Sequence, residues 1–399
     1  MADADWGTAS DFEDLNGQVA IVGVGESEHT KASGRSDLEI AAEAIEKALN
    51  DAGLTPADVD GIMFNRGAGS LFDAAAFHAH FGTKHDIWES DRGGGMVWAG
   101  TAPYAAAKAF RNRKAKVIVN SFAVAWATQR SSMTGGPGKF HAEEQFKANL
   151  EVPFGFFPQP VYFASIARRH MHEFGTTSAQ LGSIAVSCRR HANRHPGAVM
   201  REKTLSLDQY LKRPFLADPL RVEDCCLISD GGGAFVMTTA ERARDTPKPP
   251  VIAAGVGQAR SKSGSYWSQQ PDFTATPQVF CAPKAFEMAG ITAADVDVLA
   301  LYDPFTIAAL MQIEDMGFCA KGEGGPFVEG SRLDFDGGAL PYNTHGGMLS
   351  HAYVLGIAHV IELVRQLRGE AASQVGNADI AVYGGYTGHM ASTLVLRRS

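Results

Sequence analysis

An α/β fold built from two similar halves is what this sequence predicts. Three observations carry that expectation. Short β-branched runs alternate with Ala-rich amphipathic stretches, the signature of strands feeding helices. Four sequence marks recur in the same order in the second half. Apolar residues make up 45% of 399 residues and charged residues only 20%, the composition of a chain with a large core.

Val19-Ala20-Ile21-Val22-Gly23-Val24-Gly25 reads as a strand ending in a glycine turn. Asp37 to Ala52 reads as a helix stopped by Gly53, and Val59 to Phe64 as a strand. Val97 to Arg111 is expected to be helical, and Lys116 to Asn120 extended. The second half runs through the same order. Val251-Ile252-Ala253-Ala254-Gly255-Val256-Gly257 echoes the first strand and its turn. Ala52-Gly53-Leu54-Thr55-Pro56-Ala57-Asp58-Val59-Asp60 returns as Ala289-Gly290-Ile291-Thr292-Ala293-Ala294-Asp295-Val296-Asp297. Gly94-Gly95-Met96 and Gly346-Gly347-Met348 each open a helix that leads to a strand, at Ala115 to Asn120 and Ala378 to Tyr383. Four marks in one order point to an internal duplication, with the two Gly-Gly-Met helices meeting near a pseudo-twofold axis. The expected organisation is a tail over 1–16, a first half over 17–250 and a second half over 251–399. The stretch from about 121 to 218 lacks a counterpart in the second half. It is rich in Phe, Pro, Arg and His, and reads as an inserted loop domain covering a site.

Lys plus Arg total 36 and Asp plus Glu 44, a formal charge of −8, so the basic footprint of a nucleic-acid binder is absent. No window approaches the ~18 uninterrupted apolar residues of a membrane span. The acidic start Met1-Ala2-Asp3-Ala4-Asp5-Trp6 is unlike a signal peptide. Cys188, Cys225, Cys226, Cys281 and Cys319 are odd in number, and none forms a Cys-x-x-Cys pair. Reduced thiols in a cytoplasmic protein are expected.

Duplicated halves with a long first-half insertion resemble the thiolase fold, a layered αβαβα architecture, over roughly residues 17 to 398. Pro219 to Ala234 resembles the strand before the Asp-Gly-Ala-Ala signature of thiolases. Asn343-Thr344-His345-Gly346-Gly347-Met348-Leu349-Ser350-His351-Ala352-Tyr353-Val354-Leu355-Gly356 is similar to the sterol-carrier-protein-x, or lipid-transfer-protein, branch. The reactive groups differ. Where a thiolase carries its nucleophilic Cys, this chain reads Ser90-Asp91-Arg92-Gly93-Gly94-Gly95-Met96. The Gly-His-Pro motif is replaced by Ala352-Tyr353-Val354, and the Cys-x-Gly motif by Tyr383-Gly384-Gly385. Asn-Glu-Ala-Phe is replaced by Tyr302-Asp303-Pro304-Phe305. Thiolysis needs a thiolate to carry the acyl group, and the matching positions hold none.

Tyr302 and Tyr353 therefore take the places of an Asn and a His that face the acyl group in thiolases. Similar replacements mark the thiolase-like aldolases of steroid side-chain degradation, which work with a DUF35-type partner. A retro-aldol cleavage needs a base for a β-hydroxyl proton, an acid for the enolate carbon and donors for the enolate oxygen. The resemblance implies that Tyr302 takes the hydroxyl proton and Tyr353 protonates the enolate, or the reverse. Beside this stands the plainer reading of two packed tyrosines with satisfied hydroxyls. Tyr342 and Tyr383 are expected to be structural. His345 is a candidate to bond the thioester oxygen or tune a tyrosine. His351, two residues before Tyr353, is expected on another face of the same helix, in a core or interface role. Cys226 matches a strand resembling the one that contacts coenzyme A. Gly346, Gly347 and Gly385 are candidates for an oxyanion hole, or for tight turns between packed elements.

Other signals are weaker. Gly23-Val24-Gly25-Glu26 lacks the third glycine of a dinucleotide fingerprint. His170/His172 and His191/His195 lack the companions that would complete a metal site, so none is expected. Arg168, Arg169, Arg189, Arg190 and Arg194 read either as a solvated helix face or as contacts to coenzyme A phosphates. The expected function is a retro-aldolase that cleaves a β-hydroxyacyl-CoA, with a 17-hydroxy steroid side chain favoured by the resemblance. The products would be a ketone and a short acyl-CoA such as propionyl-CoA. No cofactor is expected beyond the coenzyme A of the substrate. A homodimer with a DUF35-family partner is implied, and no nucleic acid or membrane. The alternatives are a non-catalytic acyl-CoA- or lipid-binding subunit, and a degenerate thiolase using Cys226 or Cys319.

Overall fold

The computed structural model describes residues 5–65, 71–129, 147–156, 158–263 and 267–399. The first four residues of the expected tail, and 130–146 of the expected insertion, lie outside them.

The first half runs β1 (Gly7–Ala9), β2 (Val19–Glu26), α1 (Asp37–Ala52), β3 (Gly61–Met63), α2 (Ala74–Phe81), β4 (Trp88–Ser90), α3 (Met96–Arg111) and β5 (Val117–Ala125). Then come α4 (Gln159–Phe174), α5 (Ser178–Arg194), α6 (Leu207–Leu211), β6 (Phe215–Ala217), β7 (Leu220–Arg221) and β8 (Asp230–Thr239). The second half runs β9 (Val251–Ser261), α7 (Gln278–Ala289), β10 (Val298–Leu301), α8 (Thr306–Asp315), α9 (Gly324–Phe327), α10 (Gly347–Ser350), α11 (Ile357–Arg368), β11 (Ile380–Tyr386) and β12 (Met390–Arg398).

The strands form one sheet in the order β10-β11-β12-β9-β2-β8-β5-β3-β4, with β1 added to β9. The order is nearly a palindrome. Each half places its parallel pair (β3–β5, β10–β11) at the outer end of the sheet, with β4 added parallel to β3, and its antiparallel strands toward the centre, where β2 meets β9. α1 packs on the first-half strands β2, β5 and β8, and α7 on the second-half strands β9 and β12 with the added β1, whereas α3 and α11 each touch core strands of both halves. The layers are therefore helix, half-sheet, central helix pair, half-sheet, helix, as the resemblance implies.

Local chemistry explains the outer helices. In α1, Ser36 and Glu39 form a reciprocal capping box, and Gly53 closes the helix in the left-handed region at φ 66°. Ile40, Ala41, Ala44, Ile45, Ala48 and Leu49 form its buried stripe. The glycines of β2 and β9 do not make turns, as the sequence reading expects. They lie inside the strands, because a Cβ on Gly23 or Gly25 would fall 2.2 or 2.4 Å from carbonyls of α1. Gly255 and Gly257 stand in the same relation to α7, at 2.1 Å each. The repeated Gly-Val-Gly thus lets each outer helix settle directly on its sheet.

The Gly-Gly-Met correspondence needs correction. Met96 opens the long central helix α3, but Met348 opens only the one-turn α10. The partner of α3 is α11, which starts after Gly356 at φ 79°. The central helices do meet at their starts, where the Met96 N–H donates to the Leu355 carbonyl. The expected insertion is largely helical where described: α4 and α5 pack on α8, and α5 also packs on α10. No helix among the described residues is long and apolar enough to cross a membrane. All five cysteines are free thiols.

Candidate active site

Four segments converge where α10 meets the end of β10. Tyr302 follows β10 and is 6% exposed. Its backbone is held on both sides: its N–H donates to the Gly384 carbonyl at 2.8 Å, and its carbonyl accepts from Gln312 Nε2 at 2.9 Å. Asn343 clamps the strand end, its side chain accepting from Leu301 N–H at 2.9 Å and donating to the Leu301 carbonyl at 3.1 Å. Tyr353 is not helical, contrary to the sequence reading. It lies in the loop between α10 and α11, fixed by its N–H to Ser229 Oγ at 2.8 Å. Leaving the helix turns Tyr353 toward Tyr302, and its ring lies 6.0 Å from that of Trp126. Cys226 also departs from expectation, because β8 begins only at Asp230. Its segment is an extended crossing, with Cys226 N–H on the Pro304 carbonyl and Leu227 N–H on the Met348 carbonyl, each at 2.9 Å.

The two phenols lie next to each other, with the Cys226 thiol beside both. Burial pushes both up from the ordinary tyrosine value, and the adjacent Cys226 adds to the rise in each. The neighbouring Tyr353 adds to the rise at Tyr302. Tyr383 stands beside Tyr302, with its own hydroxyl donating to the Met96 carbonyl at 2.8 Å. A Cβ on Gly356 would lie 2.4 Å from the Tyr383 oxygen and 3.2 Å from the Tyr302 ring, so the glycine lets the loop close over both.

Asp303 is the residue the sequence reading passed over. It is fully buried, accepts from Met348 N–H at 2.8 Å and lies 3.0 Å from His359 Nε2. It pins α10 and α11 to the strand end that carries Tyr302. The available signal was its place in Tyr302-Asp303-Pro304-Phe305, where the thiolase motif also has an acid.

The remaining candidates fall elsewhere. His345 is buried behind the pair, and its ring neighbours are His351 and His359, not the tyrosines. Gly347 and Gly385 have packing reasons. A Cβ on Gly347, at φ 61°, would fall 2.1 Å from Asp303 Oδ2, and one on Gly385 would fall 2.7 Å from the Met96 carbonyl. His170 is bound between Thr176 and Glu314. The basic residues of the insertion engage protein groups: Arg168 pairs with Asp218, Arg169 with Glu173, Arg190 with Asp334, Arg189 bonds Ser350, and Arg194 covers Phe335. Burial raises every thiol, with Cys225, Cys281 and Cys319 each pushed up to about 12 and Cys226 pushed up as well. That disfavours the thiolate a degenerate thiolase would need.

Comparisons with known proteins agree with this fold. A family profile described as thiolase C-terminal domain-like matches residues 257–398. The chain is 36% identical to a 17-hydroxy-3-oxo-4-pregnene-20-carboxyl-CoA lyase of Mycobacterium tuberculosis over 392 residues, 96% of this chain and 100% of that protein. It is 35% identical to a steroid side-chain-cleaving aldolase of Thermomonospora curvata, covering 96% of this chain and 98% of the relative. Among solved structures, one described as an Ltp2–ChsH2(DUF35) aldolase superposes with a TM-score of 0.87 at 34% identity, covering 97% of this chain and 99% of that one.

Proposed function

This chain belongs to the thiolase-like steroid side-chain-cleaving aldolases, and from that premise we propose that Tyr302 and Tyr353 together cleave a β-hydroxyacyl-CoA. The enzyme is a carbon–carbon lyase acting on an acyl-CoA. The proposed substrate carries a hydroxyl on the steroid carbon bearing the side chain, position 17. The products are the 17-ketone and a short acyl-CoA such as propionyl-CoA.

The adjacent, buried pair of tyrosines carries this reading. Burial disfavours a resting phenolate at either position, so both tyrosines start protonated and act as a neutral relay. The substrate hydroxyl gives its proton to the Tyr302 oxygen while Tyr302 passes its own to Tyr353. The Cα–Cβ bond breaks, the ketone forms at Cβ, and the electron pair moves onto Cα as the thioester enolate. As the proton from Tyr302 arrives, Tyr353 gives its own to Cα in the same step. One proton enters the pair and one leaves, so the site resets without an outside base. Asp303, Asn343 and Ser229 are positioning residues that hold the two backbones. Coenzyme A takes part as the carrier of the acyl group.

A DUF35-family partner and a homodimer complete the proposal, the first supported by the solved relative that contains such a protein. The test is product analysis by mass spectrometry. The purified chain, alone and with a DUF35 partner, is incubated with a 17-hydroxy steroid bearing a CoA side chain. A 17-keto steroid and propionyl-CoA are expected. Binding without cleavage in both samples would overturn the reading in favour of a non-catalytic subunit.

A further inference from the structure

The cleavage cycle uses Tyr353 but not the indole that stands against it. Trp126 follows β5, and its ring lies 6.0 Å from that of Tyr353, with the two planes tilted by 48°. Both residues are partly exposed, so both present surface that a ligand can reach. β5 ends in register with β8 at the pair Ala125 and Asp230, which makes Trp126 the first residue beyond the sheet. The chain then turns, with Gln129 N–H on the Ala125 carbonyl at 2.8 Å.

One buried carboxylate holds that turn. Asp230 Oδ1 accepts from Ala127 N–H at 2.8 Å and Thr128 N–H at 3.2 Å. Its Oδ2 accepts from Thr128 Oγ1 at 2.5 Å, Ser33 N–H at 2.7 Å and Ser33 Oγ at 2.9 Å. The preceding residue, Ser229, holds Tyr353 by accepting its N–H. Two consecutive residues at the start of β8 therefore fix the indole and the phenol. A buried carboxylate bonded on both oxygens resists displacement, because each broken bond would leave a buried charge less satisfied. The spacing of Trp126 and Tyr353 is thus built into the fold and does not adjust to the ligand.

We propose that Trp126 is a specificity residue that limits the substituent on Cα of the acyl-CoA. The proposal rests on the assignment of Tyr353 as the acid for Cα. Tyr302 attends the hydroxyl on the ring carbon and Tyr353 attends Cα, so the two phenols mark the two ends of the breaking bond. Proton transfer needs Cα within about 3 Å of the Tyr353 oxygen. The indole against Tyr353 therefore borders Cα rather than the steroid rings. A methyl branch on Cα fits beside it. A longer branch meets a flat apolar wall that the turn at Asp230 keeps from moving. Such a wall discriminates by size, and one methylene in an apolar pocket changes kcat/KM by about 10–200-fold.

The experiment measures kcat/KM of the full chain, with a co-expressed DUF35-family protein, on two 17-hydroxy steroids with CoA side chains. One carries a methyl on Cα and releases propionyl-CoA. The other carries a propyl and releases pentanoyl-CoA. The ratio of the two values does not depend on the folded fraction of a variant, so loss of stability alone leaves it unmoved. The wild type is expected to favour the methyl substrate by at least about ten-fold. Trp126→Ala should shift the ratio toward the propyl substrate by about ten-fold, and Trp126→Leu by less. A wild type indifferent to the branch would overturn the proposal. So would an unmoved ratio in both variants. Failure of the tyrosine assignment is separable, because it would appear as normal cleavage in Tyr353→Phe.

Discussion

α3 and α11 occupy equivalent places at the centre of the molecule and bury different kinds of residue. The buried face of α3 is Val97, Ala99, Gly100, Thr101, Ala102, Pro103, Ala106, Ala107 and Ala109, a nearly apolar wall. α11 buries His359, Glu362 and Gln366 among its aliphatic residues. Each of those polar groups is tied to the site. His359 meets Asp303, Glu362 accepts from Thr344 Oγ1 at 2.6 Å, and Gln366 Nε2 donates to the same threonine at 2.9 Å. Thr344 neighbours the clamp Asn343 and begins the loop that leads to Tyr353. Buried polar networks specify one geometry at the expense of easy packing. The duplication has therefore divided labour: the first half supplies a smooth wall, and the second supplies the acid–base groups and the network that aims them.

The largest test of that division concerns the tyrosines. Tyr302→Phe and Tyr353→Phe should each lower kcat by about 10²–10⁴-fold, the usual reach of a general acid or base, with little change in acyl-CoA binding. Because the two act as one relay, the double variant should be scarcely slower than either single. Additive losses would show that they act independently. Steady-state kinetics with both variants and the pair decides it.

Next in size are two glycines, one just before the wall helix α3 and one opening α10 beside Asp303. Gly347 and Gly94 both lie at positive φ, 61° and 92°. Gly94→Ala would bring a Cβ to 3.1 Å from the Asn65 Cβ, a neighbour that gives slightly, whereas Gly347→Ala would drive one to 2.1 Å from Asp303 Oδ2. The left-handed backbone should cost about 1–2 kcal/mol at either position. Gly347→Ala should lose about 3–5 kcal/mol in total, because Asp303 must also give up Met348 or His359. Urea unfolding of both variants tests it, and equal losses would remove the asymmetry.

Much of the framework was legible in the sequence, because it rests on local patterns. The helix over Asp37–Ala52 and the strand from Val19 follow from an Ala-rich amphipathic stretch stopped by Gly53 and from a continuous run of apolar, partly β-branched residues. The tyrosine pair was legible only through resemblance to a family, since nothing in Tyr302 or Tyr353 alone separates them from core tyrosines. Three features were hidden for a shared reason. The setting of Trp126 against Tyr353 draws on residues 33, 126, 229, 230 and 353, from four separate segments, so no spacing reveals it. The loop that carries Tyr353 breaks a run that reads as helix, because Gly356 and the claim of Ser229 on its N–H override local propensity. The role of Asp303 depends on contacts with α10 and α11, which only the fold creates.

Glu362 offers a smaller test of the same contrast. Burial raises its carboxyl from the ordinary 4.5 to about 7, against bonding from Thr344 and Gln366 and the charge of Arg365. From pH 4.5 to 7 the unfolded chain has released a proton that the folded chain retains, so this group makes stability fall as pH rises through that window. A shift of that size corresponds to about 3 kcal/mol at most, fully lost above pH 7. Glu362→Gln should therefore flatten the fall between pH 5 and 8 and be more stable than wild type at pH 8 by about 1–3 kcal/mol. Identical pH profiles would mean that Glu362 is ionised in the folded chain.

The smallest expected effect is at Cys226, a first-half residue beside both phenols. Its thiol touches both phenols electrostatically, yet burial, Cys225 and Asp303 all push it up, away from the thiolate form. A nucleophile in that state would be protonated at neutral pH and poorly reactive. If the first half only walls the site, Cys226→Ala should change kcat by no more than about three-fold, because it removes packing and a repulsive neighbour but no proton carrier. Removing that neighbour should also ease ionisation of both tyrosines and move the alkaline limb of the kcat profile to lower pH. Mild thiol alkylation should leave cleavage intact. Cleavage abolished in Cys226→Ala, with the fold preserved by circular dichroism, would return the nucleophile to the first half and end the division drawn between α3 and α11.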